Sequence, residues 1–358
     1  MATLTFEYMF AADPKVVTAP VLTNASAEPR DAWRQIIDPV EPFLQSVANR
    51  LQRQVSTFEP ELLPYAEYAL TVNGKHLRPA LVALTARAIG EPQDAHVTVA
   101  VIIEMVHLAT LVHDDVMDEA EIRRGRLTLA ANWGNEIAVL FGDCLFAQAL
   151  KLAASFPTPE ICRAVAMATN TVCSGEILQT QHRRDFSFTQ ENYFKVIEMK
   201  TAELFALSCD LSACLSAAEP DRRAALRQFG LAFGTAYQVF DDCIDLFGSE
   251  AAAGKSLGTD LAKGKLTLPL LILFERANGA ERRQLEELVL EWQPASLKKL
   301  EPMLNKYETL SASLAVIQEY LQRSRHALRA VPASAGRNGL LGLTDYLGQQ
   351  TCALGARA

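Results

Sequence analysis

Two aspartate-rich motifs, each at the end of an apolar helix, constrain this chain more than any other feature. The apolar stretch from Val99 to Val112 leads into Asp114-Asp115-Val116-Met117-Asp118, and the stretch 229–240 leads into Asp241-Asp242-Cys243-Ile244-Asp245. We call these the first and second aspartate motifs. The outer aspartates of each motif are four residues apart, so they lie on one helix face, one turn apart.

The positions of these carboxylates predict a cation site. Carboxylates at a helix C-terminus meet the negative end of the helix dipole, at a cost of about 0.3–1 kcal/mol each, and beside apolar surface they also repel one another. Oxygen-only clusters suit hard cations, and Mg²⁺ in particular binds between carboxylates and substrate phosphates. We therefore predict a magnesium site with the ligands Asp114, Asp118, Asp241 and Asp245. One such motif alone could equally be a solvated helix end, whereas two in one helical chain favour metal binding.

Helical periodicity runs through the chain from Pro39 onward and predicts an all-α fold. Val40, Phe43, Leu44 and Val47 have the spacing of an amphipathic helix. Similar stretches follow at 78–90, 94–118, 135–155, 159–180, 190–217, 221–247, 266–277, 281–291 and 306–330. Alternation of apolar and polar residues is not found, so strands are not indicated. We predict a single helical-bundle domain over residues 36–358, after a loosely ordered leader over residues 1–35.

Composition and charge narrow the partners and the compartment. The 358 residues are 49% hydrophobic and carry a net charge of −8, so a large core can form and nucleic acid is not an expected partner. Seven cysteines without a Cys-x-x-Cys pair favour reduced thiols in a cytosol-like compartment. The sequence has no uninterrupted apolar run of about 18 residues and no signal-peptide pattern. We therefore expect a cytoplasmic protein without a transmembrane segment.

Basic residues accompany both aspartate motifs, although the protein is acidic. The string Gly74-Lys75-His76-Leu77-Arg78-Pro79 stands where a loop enters a helix, a position that favours phosphate. Arg123-Arg124-Gly125 follows the first aspartate motif, and Lys255 and Lys265 lie in a glycine-bearing loop after the second. Each residue alone is usual on a solvated surface. Together with two cation motifs they predict a site for a diphosphate.

Taken in order, these motifs resemble those of the trans-isoprenyl diphosphate synthases. Further matching strings are Leu111-Val112-His113 before the first aspartate motif, Gly142-Asp143, Lys200-Thr201, Tyr237-Gln238-Val239-Phe240 before the second, and Gly254-Lys255-Ser256-Leu257-Gly258-x-Asp260. The resemblance covers about residues 40–330. It departs at His76, where the family often has arginine, and at Leu127, where proline is common.

The resemblance implies a fold and an activity. The fold would be a single-domain bundle of the isoprenoid synthase type with a central active-site cavity, assembled as a homodimer. The activity would be that of a prenyltransferase. Isopentenyl diphosphate would condense head to tail with an allylic diphosphate, after Mg²⁺-assisted ionisation, to give an all-trans polyprenyl diphosphate.

The same resemblance implies a role for each matching residue. Asp114, Asp118 and Asp241 would hold three Mg²⁺ ions against the diphosphate of the allylic substrate. The contacts to that diphosphate would come from Arg123, Lys200, Thr201, Gln238, Lys255 and Lys265, and the pocket for isopentenyl diphosphate from Lys75, Arg78, His107 and Arg124. The catalytic set would be Asp114, Asp118, Asp241, Lys200 and Arg123, since the Mg²⁺ ions held by the aspartates and the two basic side chains place positive charge where the leaving group collects negative charge. His107 would equally fit a hydrogen-bonded histidine at a helix interface.

Small residues before the first aspartate motif bear on product length. Ala109 and Thr110 precede Asp114 by five and four residues, which is about 6–7.5 Å along the helix. In the family, bulky side chains at these positions are typical of enzymes with short products. Small side chains there are typical of long-chain enzymes. We therefore predict a product longer than fifteen carbons, although Ala109 and Thr110 would also suit ordinary helix packing.

Other functions share some of these features. A farnesyl or geranylgeranyl diphosphate synthase of the same family is the nearest alternative. A terpene cyclase also has aspartate-rich helices and Mg²⁺, but it does not need the pocket predicted around Lys75, Arg78 and Arg124. A non-catalytic subunit with this fold would be expected to have lost an aspartate motif, and both are intact here.

Overall fold

A computed structural model describes residues 29–71, 76–123, 125–248 and 257–356, and this part of the chain is almost entirely helical. The all-α class predicted from periodicity is confirmed. In chain order the α-helices are α1 (Pro29–Ile37), α2 (Glu41–Val55), α3 (Leu63–Leu70), α4 (Leu77–Ile89), α5 (Asp94–Met117), α6 (Leu129–Trp133), α7 (Asn135–Ala154), α8 (Glu160–Gln181), α9 (Gln190–Ile197), α10 (Glu203–Leu215), α11 (Pro220–Phe247), α12 (Thr259–Ala262), α13 (Leu268–Arg276), α14 (Gly279–Leu290), α15 (Leu297–Lys306), α16 (Thr309–Ala327) and α17 (Ala335–Gly355).

Helix α5, which ends in the first aspartate motif, lies at the centre of the bundle. Its neighbours are α4, α7 and α10, and Ile102, Ile103 and Met105 have no exposed surface. Neighbours on every side explain why α5 is apolar almost all round. By length and composition alone, α5 and α7 could each cross a membrane, but 72% of the apolar window of α5 is buried in the fold and 39% of that of α7.

Helix α11 carries the second aspartate motif in its last two turns. It begins at Pro220, whose fixed φ suits a first helical position, and it packs on α10 and α16. The approach to α10 is close because Gly230 presents only hydrogen there. A Cβ at Gly230 would lie 2.5 Å from the carbonyl oxygen of Phe205. This close packing holds α11 against α10, the helix that follows the π turn described next.

The stretch 190–217, predicted as one helix, is interrupted by one turn of π-helix, Glu198–Ala202, between α9 and α10. This π turn contains Lys200 and Thr201. Helix α8 approaches it at Gly175, where a Cβ would lie 2.8 Å from the backbone nitrogen of Lys200. π turns inside longer helices occur often at functional sites, and this one turns the lysine toward the aspartates.

Helices α3 and α15 were not predicted from the sequence, and three further features differ from the prediction. A two-residue antiparallel pair, β1 (Ile122–Arg123) and β2 (Arg126–Leu127), follows the first aspartate motif; it is too short to give a period-two signal. Helix α17, which packs on α4 and α16, was not predicted. Residues 29–35 of the predicted leader belong to α1, and the rest of the leader lies outside the described residues.

Candidate active site

Asp118 of the first aspartate motif contacts two cations from other parts of the chain. It caps the C-terminus of α5, and its Oδ2 lies 2.8 Å from Lys265 Nζ, while Oδ1 accepts a hydrogen bond of 2.9 Å from Arg183 Nη2. Burial raises the pKa of Asp118, but Lys265, Lys200 and Arg183 together hold it below its usual range. The carboxylate is therefore ionised and neutralised by its neighbours.

Lys200 of the π turn faces the other outer aspartate of this motif. Its Nζ lies 3.6 Å from Asp114 Oδ2, donates to Gln179 Oε1 at 3.0 Å, and forms an ion pair with Glu176. Burial lowers the pKa of Lys200, but the surrounding carboxylates raise it above its usual value. Lys200 therefore carries a positive charge, which faces Asp114 from the π turn.

The inner aspartates are buried and bonded to neutral or positive groups. Asp115 accepts a hydrogen bond of 2.6 Å from Arg123 Nε; burial raises the pKa of Asp115 more than Arg123 lowers it. Asp242 accepts from the Tyr193 hydroxyl at 2.5 Å and from Gln238 Nε2 at 2.7 Å. Burial, followed by repulsion from Asp260, raises the pKa of Asp242 well above its usual range.

Asp245, predicted as a metal ligand, has both carboxylate oxygens bonded to the chain after α11. Its Oδ1 accepts from the backbone nitrogen and the hydroxyl of Thr259 at 3.2 and 2.6 Å, and Oδ2 accepts from the backbone nitrogen of Asp260 at 3.1 Å. Asp245 is 1% exposed. In this structure Asp245 anchors the N-terminus of α12, and its role as a ligand stays a prediction.

Two routes of contact join the first and second aspartate motifs. In one, the Thr201 hydroxyl, next to Lys200, donates to Gln238 Oε1 at 2.8 Å, and Gln238 continues to Asp242. In the other, Lys265, which contacts Asp118, has its backbone nitrogen 2.9 Å from the carbonyl oxygen of Asp260. A cavity of about 70 Å³ lies between these routes, lined by Lys200, Thr201, Gln238, Asp242, Asp260 and Lys265 among others. The predicted residues of the π turn, α11 and the loop before α13 therefore line one cavity, and Lys200 and Lys265 connect it to Asp114 and Asp118 of the first aspartate motif.

A second polar cluster surrounds Glu104 of α5, five residues before Ala109. Buried Glu104 contacts His76 at 3.6 Å. Burial raises the pKa of Glu104, but His76, His107 and Arg78 lower it to about 2. The guanidinium of Arg78 lies over the buried ring of Phe205, 4.8 Å from its centroid. Arg78 and His107, both predicted to bind isopentenyl diphosphate, thus lie near the same carboxylate, that of Glu104.

Other predicted residues are only partly accounted for. Lys75, Arg124 and Lys255 lie outside the described residues. Asp241 is half-buried on the same turn as Asp242. Ala109 has no exposed surface, whereas Thr110 is half-buried and its hydroxyl donates to the carbonyl oxygen of His107 at 2.7 Å.

Several residues of the site were not predicted from the sequence. Glu176 and Gln179 are three residues apart on α8, a spacing that signals a shared polar face but not which group it meets. Arg183 stands in a basic pair, Arg183-Arg184, and such a pair is typical of a solvated surface. Tyr193 gave no signal, since a tyrosine in an amphipathic helix usually packs in the core.

In the part of the chain that the structure describes, no three His, Cys, Asp or Glu side chains form a cluster able to hold a metal ion by themselves. Mg²⁺ usually takes only one or two protein carboxylates and completes its shell with water and substrate phosphate oxygens. Oxygen-only carboxylates that already contact lysine and arginine side chains therefore fit Mg²⁺ bound together with a diphosphate.

Known proteins are similar to this chain in sequence and in fold. The family described as polyprenyl synthetase matches residues 59–306. Octaprenyl diphosphate synthase of Escherichia coli is 35% identical over 286 residues, covering 79% of this chain and 88% of that enzyme. Heptaprenyl diphosphate synthase component 2 of Bacillus subtilis is 34% identical over 304 residues, covering 85% of this chain and 87% of that protein.

A solved structure is similarly close. Polyprenyl synthase from Caulobacter crescentus, complexed with calcium and isoprenyl diphosphate, has a TM-score of 0.83 and 30% identity, covering 94% of this chain and 100% of that one. An all-α bundle with two aspartate motifs, the first of them in contact with two lysines, is typical of a prenyltransferase of the isoprenoid synthase type. The chain belongs to the polyprenyl synthetase family. The family resemblance seen in the motifs is confirmed.

Proposed function

We propose that the protein condenses isopentenyl diphosphate head to tail with an allylic diphosphate and releases an all-trans polyprenyl diphosphate. One observation carries this proposal: Lys200 and Lys265, from two different elements, line one cavity, and their side chains contact Asp114 and Asp118. Carboxylates and fixed cations side by side suit a ligand that is itself a metal–diphosphate complex. The names of the octaprenyl and heptaprenyl relatives support the same substrate class.

Mg²⁺ is the proposed cofactor, held by Asp114, Asp118 and Asp241 together with diphosphate oxygens. Bound there, it would neutralise the diphosphate and favour breaking of the allylic carbon–oxygen bond. The calcium in the Caulobacter crescentus structure supports a hard divalent ion in this family. Chelation by EDTA should abolish turnover, and added Mg²⁺ should restore it.

The side chains of the site would divide the reaction between them. Lys200 and Lys265 would bind the allylic diphosphate and stabilise the charge that collects on the leaving pyrophosphate. Gln238 and Thr201, already bonded to each other, would orient the same group. The double bond of isopentenyl diphosphate would attack the allylic cation, and a proton would then leave the condensed product.

Arg123 has a more restricted role in this site. Its Nε donates to Asp115, so it would reach the allylic diphosphate with its two terminal nitrogens. Arg78 and His107, held around Glu104, would bind the diphosphate of isopentenyl diphosphate with Lys75 and Arg124. In the absence of substrate, the Glu104 carboxylate balances the positive charge of the Arg78 and His107 pair.

The product is proposed to be longer than fifteen carbons. Ala109 and Thr110 are small, and the hydroxyl of Thr110 is already bonded to α5 itself, so neither side chain places bulk beside the helix. Heptaprenyl and octaprenyl names among the relatives support a chain of this class.

Incubation of the purified protein with Mg²⁺, radiolabelled isopentenyl diphosphate and allylic primers of five to twenty carbons tests the proposal. We expect a product ladder beyond fifteen carbons, measured by chromatography after dephosphorylation. Asp114→Asn should lower kcat by about 10²–10³, whereas Asp38→Asn, at an exposed aspartate in the chain between α1 and α2, should not. Folded wild-type protein that incorporates no label with any primer would overturn the function, and a ladder that stops at fifteen or twenty carbons would overturn the chain-length proposal alone.

A homodimer is also proposed, formed through α7 and α8. The exposed face of α8 from Ala166 to Ile177 has no charged side chain: Ala166, Met167, Asn170, Cys173 and Ile177. Met167 is 65% exposed and Leu140, on neighbouring α7, is 60% exposed. Exposed apolar residues on two helices that pack together mark an interface, and an uncharged face suits a second copy of itself.

Light scattering after size-exclusion chromatography measures the assembly. Wild type should have twice the chain mass of 39.3 kDa, and Met167→Glu should shift toward one chain. Leu290→Glu, at a similarly exposed residue on α14, should remain a dimer. A monomeric wild type would overturn the dimer. The cytoplasmic location stays a prediction from the sequence.

A further inference from the structure

Arg183 enters the candidate active site from a segment that none of the matching motifs includes. It lies between the end of α8 and the start of α9, and its Nη2 donates to Asp118 Oδ1 at 2.9 Å. On the other oxygen of the same carboxylate, Lys265 Nζ lies at 2.8 Å. One predicted metal ligand therefore contacts two cations, one more than its charge requires.

The segment that carries Arg183 is held firmly in place. Asp185 accepts hydrogen bonds from the backbone nitrogen and hydroxyl of Ser187 at 2.9 and 2.5 Å and contacts His182 Nδ1 at 2.7 Å. The backbone nitrogen of Arg184 donates to the carbonyl oxygen of Gly264 at 2.7 Å. Arg183 and Lys265 thus arrive at Asp118 on two segments that are bonded directly to each other.

The guanidinium of Arg183 has a donor to spare on the side that faces Asp118. Nε and Nη2 form one edge of a guanidinium and commonly bind two oxygens of one anion. Here Nη2 is bonded to Asp118, while Nε is buried and has no hydrogen-bond partner among the residues that the structure describes. A buried unpaired donor costs about 1–3 kcal/mol, so it marks a place where an additional acceptor is expected.

We propose that Arg183 is a further contact of the substrate diphosphate, binding its oxygens with the Nε–Nη2 edge. This inference rests on the proposed function. When Asp118 turns its oxygens to a divalent cation, the positive charges of Arg183 and Lys265 need another anion, and the diphosphate held by that cation is the nearest one. Lys265 then supplies a point charge, and Arg183 supplies a planar fork that fits two phosphate oxygens at once.

Binding of inorganic pyrophosphate with Mg²⁺, measured by isothermal titration calorimetry, tests this contact without turnover. Arg183→Gln should weaken pyrophosphate binding about tenfold to a hundredfold, the value of a hydrogen-bonded charge pair. Arg183→Lys should recover only part of this loss because it restores charge but not the fork. Arg184→Gln removes the neighbouring charge from the same segment and should bind as wild type.

The outcomes separate the contact from the function on which it rests. Folded Arg183→Gln protein that binds pyrophosphate with wild-type affinity would overturn the inference while leaving the enzyme class intact. A drop shared equally by Arg184→Gln would overturn it too, since general charge would then explain binding. Equal binding by Arg183→Lys and wild type would refute the two-oxygen contact. Wild type that binds no pyrophosphate with Mg²⁺ would refute the proposed function itself. Thermal unfolding of each variant checks that all of them fold.

Discussion

Replacing Gly175 with alanine should disturb catalysis from a helix that bears no proposed catalytic residue. An alanine Cβ there would lie 2.8 Å from the backbone nitrogen of Lys200, 2.9 Å from Met199 Cβ and 3.2 Å from Lys200 Cα. Ordinary contacts begin at about 3.5 Å, so the π turn and α8 must separate by roughly 0.7 Å. Backbone atoms cannot rotate away, as the end of a side chain could.

The expected magnitude follows from two opposing effects. Overpacking costs about 1–3 kcal/mol, and the better helix propensity of alanine recovers about 0.5–1 kcal/mol. We expect a net loss of about 1 kcal/mol in the free energy of unfolding. Since a misplacement of about 1 Å can cost 10²-fold in rate, the shift of Lys200 should lower kcat by at least about tenfold.

Urea denaturation and steady-state kinetics measure the two effects separately. Gly279→Ala is the matched control because a Cβ at Gly279, in the first turn of α14, meets nothing within 4 Å. It should leave both quantities close to wild type. If Gly175→Ala loses stability but keeps its kcat, the link from α8 through the π turn to Lys200 is wrong.

Three further substitutions have distinct signatures. The pKa of Glu104 is lowered from 4.5 to about 2, so the stability that its ionised carboxylate contributes is complete above pH 4.5 and disappears as the pH falls through 2. In urea titrations Glu104→Gln should therefore be less stable than wild type by a few kcal/mol at pH 7. The difference in the free energy of unfolding should be smaller at pH 3. A gap that does not change with pH would contradict this. Asp245→Asn should speed hydrogen exchange at the amides of Thr259 and Asp260 about tenfold, and unchanged exchange would show that the carboxylate does not anchor α12. Ala109→Phe should shorten the product on chromatography, and an unchanged ladder would contradict the inference that small residues before Asp114 allow a long product.

Much of the fold could be predicted because its helices are long and their apolar residues regular. The helix predicted at 135–155 runs from Asn135 to Ala154, and the one at 221–247 runs from Pro220 to Phe247. The π turn could not be predicted, because the one additional residue that widens a helical turn has no characteristic type or spacing in the sequence. Helices α6 and α12 have only five and four residues, too few to show a period.

The site was predictable where residues of one type recur at helical spacing, as in the two aspartate motifs. Spacing shows which residues share a face, but it does not show what that face meets. Asp245 shares a face with Asp241 in sequence, yet its oxygens are bonded to Thr259 and Asp260. Arg183 could not be recognised for the same reason, because its contact with Asp118 joins positions 65 residues apart in the chain.

The π turn also limits how the length of this chain can change. Deleting a residue of the π turn itself would return it to an α-helical turn and would move Lys200. In an α-helix each residue advances the direction of the side chains by about 100°, so deleting one residue from α9 or α10 between Tyr193 and Phe205 would rotate everything after it by that angle. Tyr193 bonds to Asp242 and Phe205 packs beneath Arg78, so such a deletion could satisfy only one of these contacts. The segment between them acts as a fixed spacer. Insertions that survive in related proteins should therefore fall in the connecting loops and leave the number of residues from that tyrosine to that phenylalanine unchanged.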